Sequence, residues 1–253
     1  MNRLIICSFA IVISLFAFTR KSKKEATQFT ENQNFVLLEL FTSQGCSSCP
    51  SADKLLEKTI VDAQKSGKKI IALSYHVDYW DRLGWKDPYS NAQFTQRQYD
   101  YAQWFQSSNV YTPQIVVNGK EEFVGSDKAK MSRVIDKILQ TGASVNIQLE
   151  EISWKNNVLN LDIKLSNLAK NSQLNVALVS KNTETNISRG ENEGLKLKGS
   201  NVVRVLQKIQ LLTIQNKVSL PIPKDAEKAN TQVIAFIQDK NTNQILGAEA
   251  LDF

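Results

Sequence analysis

FVLLELFTSQGCSSCPSAD, Phe35 to Asp53, is the stretch on which the reading of the fold turns. Phe35 to Phe41 is almost unbroken in apolar residues, the pattern of a strand covered on both faces. Thr42, Ser43, Gln44 and Gly45 then turn the chain. Beyond Pro50, the positions Ala52, Leu55, Leu56, Thr59, Ile60 and Ala63 recur at three- and four-residue spacing and predict an amphipathic helix that Gly67 ends. Proline suits the first turn of such a helix, where its missing N–H costs nothing. Cys46 and Cys49 therefore fall at a helix N-terminus, where unpaired amides and the positive end of the dipole favour a thiolate. Their spacing lets one sulfur attack a disulfide and the other resolve the mixed disulfide, with the outer Cys46 as nucleophile and Cys49 as resolving thiol. Two other readings of the pair stand beside this one: a structural disulfide, and part of a metal site, although zinc would need four ligands.

The 253 residues suffice for one large domain or two ordinary ones. The net charge of +6 is concentrated at one end. Arg3, Arg20, Lys21, Lys23 and Lys24 precede the first acid, Glu25, and without them 26 basic residues face 25 acidic ones. That balance gives no nucleic-acid footprint. The five charges flank the apolar run Leu4 to Phe18, which reads as the core of a secretory signal or a short membrane anchor over 1–24, with 25–34 a polar spacer. We expect an exported protein, periplasmic or extracellular, whose membrane contact, if any, is this segment. Cys7 lies within the apolar run, so a cleaved chain would keep only Cys46 and Cys49.

Lys69 to Tyr75 is a second apolar run, and strand, helix, strand at this length predicts a βαβ crossover with parallel strands. His76, the single histidine, leaves the second strand on the edge from which the cysteines leave the first. The loop after it holds Asp78, Tyr79, Trp80, Asp81, Trp85, Lys86 and Asp87. Such a segment can cover the thiols, line a groove for an extended polypeptide, or simply close a core. We take His76, Asp78, Tyr79, Trp80, Trp85 and Tyr111 as candidate substrate contacts. Ser90 to Phe105 reads as a helix with Phe94, Tyr101, Ala102 and Phe105 on one face. Asn118-Gly119, between Gln114 to Val117 and Lys120 to Val124, is a strong hairpin signal. Ser126 or Asp127 caps a helix carrying Met131, Val134, Ile135, Ile138 and Leu139, with Gly142 past its end.

A βαβ unit followed by ββα, with C-x-x-C at the first helix and Thr112-Pro113 before the third strand, resembles the thioredoxin fold. ELFTSQGCSSCPSAD, YHVDYWDRLGWKDP, VYTPQIVVNG, RGENEG with NVVR, and VIAFIQD with ILGA are together similar to a family of exported thioredoxin-like proteins of unassigned function, from about Asn34 to the C-terminus. The resemblance implies an α/β thioredoxin-like domain with a helical insertion over 35–142 and a β-rich domain after it. It also implies a cis Thr112–Pro113 bond beside the cysteines, and a buried carboxylate on the preceding strand that moves the resolving thiol's proton. Glu39 is the nearest candidate for that acid, or else it points to solvent or pairs with a base. Gly45 and Ser47-Ser48 stand where thioredoxins carry Trp and Gly-Pro.

From Ala143 the apolar period becomes two, through Val145–Leu149, Leu159–Leu165, Leu174–Leu178, Val202–Leu206, Ile209–Ile214, Val218–Ile222, Val233–Ile237 and Ile245–Leu251. Seven or eight strands without a helix predict an all-β sandwich over 143–253. Arg189, Glu191, Asn192 and Arg204 either meet the cysteine-bearing half or a partner, or decorate a solvated hairpin.

Three functions follow. The first is a thiol-disulfide oxidoreductase acting on protein thiols or disulfides, its redox disulfide Cys46–Cys49 serving without further cofactor and assisted by Thr112, Pro113 and Glu39. The second is a Cu(I)-binding or metal-transfer protein using Cys46, Cys49 and His76. The third is a non-catalytic binding protein with a structural disulfide. No phosphate-binding loop, serine triad, dinucleotide fingerprint or zinc-protease motif is present.

Overall fold

A computed structural model describes residues 34–253. The expected signal or anchor, Cys7 and nearly all of the spacer lie outside them. Among the described residues, no helix is long and apolar enough to cross a membrane.

The first half contains the expected elements. Strand β1 (Val36–Thr42) leads to helix α1 (Cys49–Ser66), which closes on Gly67 in the left-handed conformation. Strand β2 (Ile70–His76) runs parallel to β1 in the register Val36↔Ile70 to Thr42↔His76. Helix α2 (Ala92–Trp104) starts at Asn91, whose side chain accepts the Gln93 amide. Strands β3 (Gln114–Val117) and β4 (Glu121–Val124) form the hairpin turned by Asn118 and Gly119, both at positive φ, and helix α3 (Lys128–Ile138) is capped by Asp127. A side chain on Gly119 would run into the Asn243 carbonyl, so this turn is seated against the chain's last hairpin.

The later strands are β5 (Ile147–Lys155), β6 (Val158–Leu165), β7 (Ser172–Asn186), β8 (Lys196–Gln210), β9 (Gln215–Pro221), β10 (Thr231–Asp239) and β11 (Ile245–Asp252). Their arrangement corrects the expected fold class. Instead of a thioredoxin-like domain followed by a separate β-sandwich, one mixed eight-stranded sheet runs β11-β10-β7-β8-β2-β1-β3-β4. Only β5, β6 and β9 form a second sheet. The join is β2 with β8, parallel at Ser74↔Val202, reinforced by Asn201 Nδ2 donating to the Ala72 carbonyl. It is made possible by the length of β7 and β8, 15 residues each, which carries their hairpin past the three-stranded sheet to the edge of β2.

Side-chain alternation divides the core. Leu37 and Phe41 of β1 meet Phe94 and Tyr101 of α2, together with Ala177, Val179, Ile234 and Phe236 from β7 and β10. Val36, Leu38 and Leu40 face Ala52 and Leu56 of α1 and Met131, Val134 and Ile135 of α3. The three-stranded sheet packs Leu159, Leu161, Ile163 and Leu220 against Val176, Leu178, Val233 and Ala235.

Candidate redox site

The loop between β1 and α1 is built on its own backbone. Ser43 accepts the Gly45 amide on its hydroxyl (3.1 Å) and the Cys46 amide on its carbonyl (3.2 Å), and Cys49 donates its amide to the Cys46 carbonyl (3.2 Å). Pro50 follows in the first turn of α1, where no side chain caps the helix. Cys46 and Cys49, their Cα atoms 5.4 Å apart, are joined by a disulfide. The Thr112–Pro113 peptide is cis and lies beside the pair. The Thr112 hydroxyl accepts the Trp80 indole N–H at 2.8 Å, which leaves its own hydrogen to point at Cys46 Sγ, 3.4 Å away. The Ser48 hydroxyl is a second donor at 3.4 Å. Two O–H donors on one sulfur would stabilise a thiolate there after reduction.

Both cysteines stand at the helix start as the sequence predicts, but they are 0 % exposed. Their polar surroundings explain how: the tip of the β7–β8 hairpin lies on the cysteine loop. Asn192, itself buried, donates through Nδ2 to the carbonyls of Gln44 (2.8 Å) and Cys46 (3.0 Å). Glu191 Oε2 accepts the Ser47 amide at 2.9 Å. Gln44 in turn donates to Thr185 Oγ1 (2.9 Å) and accepts Trp85 Nε1–H (3.1 Å).

Beneath the loop lies a group of acids and the histidine. Even-numbered residues of β1 face α1, so Thr42 turns toward that helix and donates to Asp53 Oδ2 at 3.2 Å. Asp53 is four residues beyond Cys49, on the same face of α1. Burial pushes its carboxyl up to about 7, against the opposing pull of His76 and of the Thr42 bond. His76, level with Thr42 on the neighbouring strand, meets Asp87 Oδ2 through Nδ1 at 2.7 Å. Burial alone would lower the imidazole, but Asp87, helped by Asp53 and Asp81, outweighs it and holds His76 above its ordinary value. We assign the Nδ1 proton from that carboxylate partner. Burial would raise Asp87, and the His76 contact with the Gln44 and Tyr89 amides (2.8 and 2.9 Å) holds it below the usual range instead. His76 Nε2 is buried without a hydrogen-bond partner among the described residues.

With this geometry in view, comparison with known proteins places the chain. The model of the family described as "Protein of unknown function (DUF1223)" matches residues 37–238. The chain belongs to that family. A crystal structure of a protein from Agrobacterium tumefaciens, determined by a structural genomics consortium, is 29 % identical and superposes with a TM-score of 0.65 over 88 % of this chain and 96 % of that one. A domain of the outer membrane lipoprotein Omp28 from Porphyromonas gingivalis is 13 % identical, covers 44 % of this chain and 88 % of its own, and has a TM-score of only 0.30, too slight to bear on the fold. No curated protein matches the chain. These matches establish the DUF1223 family and bring no support for the thioredoxin-like classification.

Of the residues singled out from the sequence of this DUF1223 protein, Cys46, Cys49, Thr112, Pro113, Trp80, Trp85 and His76 gather at or under the cysteine loop. Glu39 does not. It lies on the α2 face of β1, where its carboxylate meets Arg97 Nε at 2.6 Å and accepts the Tyr101 hydroxyl, so it pairs with a base inside the core. Asp78 is tied to Thr95 of α2 and Tyr79 to Gln98, while the Tyr111 hydroxyl is spent on Glu122. Arg204 pairs with Asp225 and stacks on Tyr89. Among the described residues, no group of three His, Cys, Asp or Glu side chains is arranged to hold a metal ion while the cysteines are joined. The sequence reading missed Asp53, although its i+4 offset from Cys49 was visible, and it left the Glu191–Asn192 contact open.

Proposed function

We propose that the Cys46–Cys49 pair exchanges disulfides with protein substrates in an exported compartment. The observation that carries this is the pairing of a Cys46 sulfur held by two hydroxyl donors with a carboxyl titrating near neutrality one turn behind Cys49. In the reducing direction, the Cys46 thiolate attacks one sulfur of a substrate disulfide, forming a mixed disulfide and releasing the other substrate sulfur as a thiolate that takes a proton from water. Cys49 then gives its proton to the Asp53 carboxylate and attacks the Cys46 sulfur. This re-forms the Cys46–Cys49 disulfide and expels the second substrate thiolate. Two electrons have passed to the substrate, and a protein dithiol returns them to the pair. Run backwards, the same steps oxidise a dithiol. Because both sulfurs are covered, each cycle requires the loop or its cover to open locally.

Trapping tests the reading. A Cys49→Ala protein incubated with a disulfide-bonded substrate protein should accumulate an adduct through Cys46, and Cys46→Ala should not. Absence of an adduct from both variants would contradict the proposal. One observation, the complete burial of both sulfurs, favours a structural clamp instead. A clamp would leave the native wild-type disulfide inert to a dithiol in the folded protein, so incubating the wild type with dithiothreitol under native conditions separates the two.

A further inference from the structure

The β7–β8 hairpin tip is closed by its own hydrogen bonds. Gly194 donates its amide to the Ile187 carbonyl (2.9 Å), Ile187 to Leu195 (2.9 Å) and Leu195 to Asn192 (3.1 Å), which closes the tip on itself. Gly190, at φ +83, passes so close to Trp85 that a Cβ there would lie 3.2 Å from the Trp85 Cβ. Asn192 then fastens the tip to the two carbonyls of the cysteine loop. The result is that Glu191, exposed to solvent, is held on the amide of the residue next to Cys46. No Lys or Arg pairs with Glu191 among the described residues. The Ser47 hydroxyl and amide hold its carboxyl below the usual range, so it is an anion at neutral pH.

We propose that Glu191 is a positioning residue that sets the redox poise of the Cys46–Cys49 pair, by placing a fixed negative charge on the Ser47 amide at the mouth of α1. The inference rests on the exchange reading above and adds a residue to it. Reduction by a dithiol transfers two electrons to the disulfide and leaves one thiol and, once a proton is lost, one thiolate at Cys46. That thiolate would sit one residue from the Ser47 amide on which Glu191 is held, just ahead of α1, and would be repelled by the carboxylate there. The disulfide carries no such charge. Glu191 therefore disfavours the reduced form and makes the pair a stronger reductant than its hydroxyl donors alone would. Two partly exposed unit charges one residue apart, in a high effective dielectric, shift an equilibrium by about threefold to tenfold.

Glu191→Gln isolates the charge, since the amide oxygen can still accept from Ser47. In full-length protein equilibrated against dithiothreitol redox buffers, we expect the reduction potential to rise by about 15–30 mV, the equivalent of that fold-change at 29.6 mV per tenfold. The Cys46 thiol pKa should fall by about 0.5–1 unit, read from thiolate absorbance in the reduced protein. Both differences should shrink in 1 M salt, because the charge is exposed. A merely structural tie would leave Glu191→Gln like wild type and would show instead in Asn192→Ala. If wild type equilibrates and Glu191→Gln matches it, or if the shift is independent of salt, the inference falls and the exchange reading survives. If the native wild-type disulfide does not equilibrate at all, the exchange reading itself has failed.

Discussion

Asp53→Asn should make the protein a slower disulfide exchanger and a more stable fold at the same pH. The slower chemistry follows if Asp53, one turn behind Cys49, plays the proposed part of taking the proton that the resolving thiol must lose. General-base help of this kind is worth on the order of 10²-fold or more. Exchange at pH 7 should fall by about that factor, and the rate profile should lose an inflection near 7, the value to which burial pushes the Asp53 carboxyl. The stability gain follows from linkage. Folding raises the Asp53 pKa above its ordinary 3.8, so the native state binds the proton more tightly than the unfolded chain. The corresponding stability is fully present below about pH 4 and is lost as pH rises through about 7. A shift of about three units corresponds to about 4 kcal/mol at most, and a half-buried carboxyl should realise about half of that. Asparagine keeps an acceptor for Thr42 and removes the titration. Unfolding free energies of wild type and Asp53→Asn, from denaturant titrations, should therefore coincide near pH 4 and separate by about 2 kcal/mol at pH 8. A constant difference across that range would show that Asp53 is not the group whose pKa folding raises.

Arg97→Met should cost the largest amount of stability of any change considered, about 3–5 kcal/mol. Arg97 is 3 % exposed and Glu39 1 %, and the guanidinium also donates to Gln238 Oε1 at 3.2 Å and lies over the rings of Tyr75, Tyr101 and Phe236. Removing it leaves the Glu39 carboxylate in the core without its cation, with the Tyr101 hydroxyl still donating to it. The cost is mostly that of an unpaired buried charge, so Glu39→Leu combined with Arg97→Met should recover at least half of it in urea titrations. The double variant should retain Cys46 exchange with an unchanged pH profile, since Glu39 and Arg97 lie on the α2 face of the sheet. Loss of the inflection near 7 in that variant would move the acid's role from Asp53 to Glu39.

The contrast between Glu39 and Asp53 shows where the sequence was legible. Local signals were read correctly where one segment decides the outcome: Asn118-Gly119 turns the β3–β4 hairpin, Gly67 ends α1, and Phe94 and Tyr101 mark the inner face of α2. The alternation of β1 was legible too, and it places Glu39 and Thr42 on opposite faces. What the sequence did not show is which face looks toward α1, because that depends on the packing of the whole sheet. The same limit hid the eight-stranded sheet. Val202 to Leu206 reads as a short strand of a sandwich, and nothing in its period reveals that β8 continues from Lys196 to Gln210 and pairs with β2 through a single register position. The Glu191–Ser47 contact spans 144 residues and depends on that join. Polar residues of a hairpin tip look alike whether solvent or another loop receives them.

The Cys46–Cys49 bond is proposed to be a reversible couple in the folded protein, and its reduction potential, measured against glutathione redox buffers and, for strongly reducing values, dithiothreitol ones, tests this most directly. We expect a single two-electron transition between about −270 and −120 mV, the span of proteins that exchange disulfides for a living, with the fold intact on both sides. A potential below about −300 mV, or reduction only once the protein unfolds, would mark the bond as a structural clamp and contradict the account.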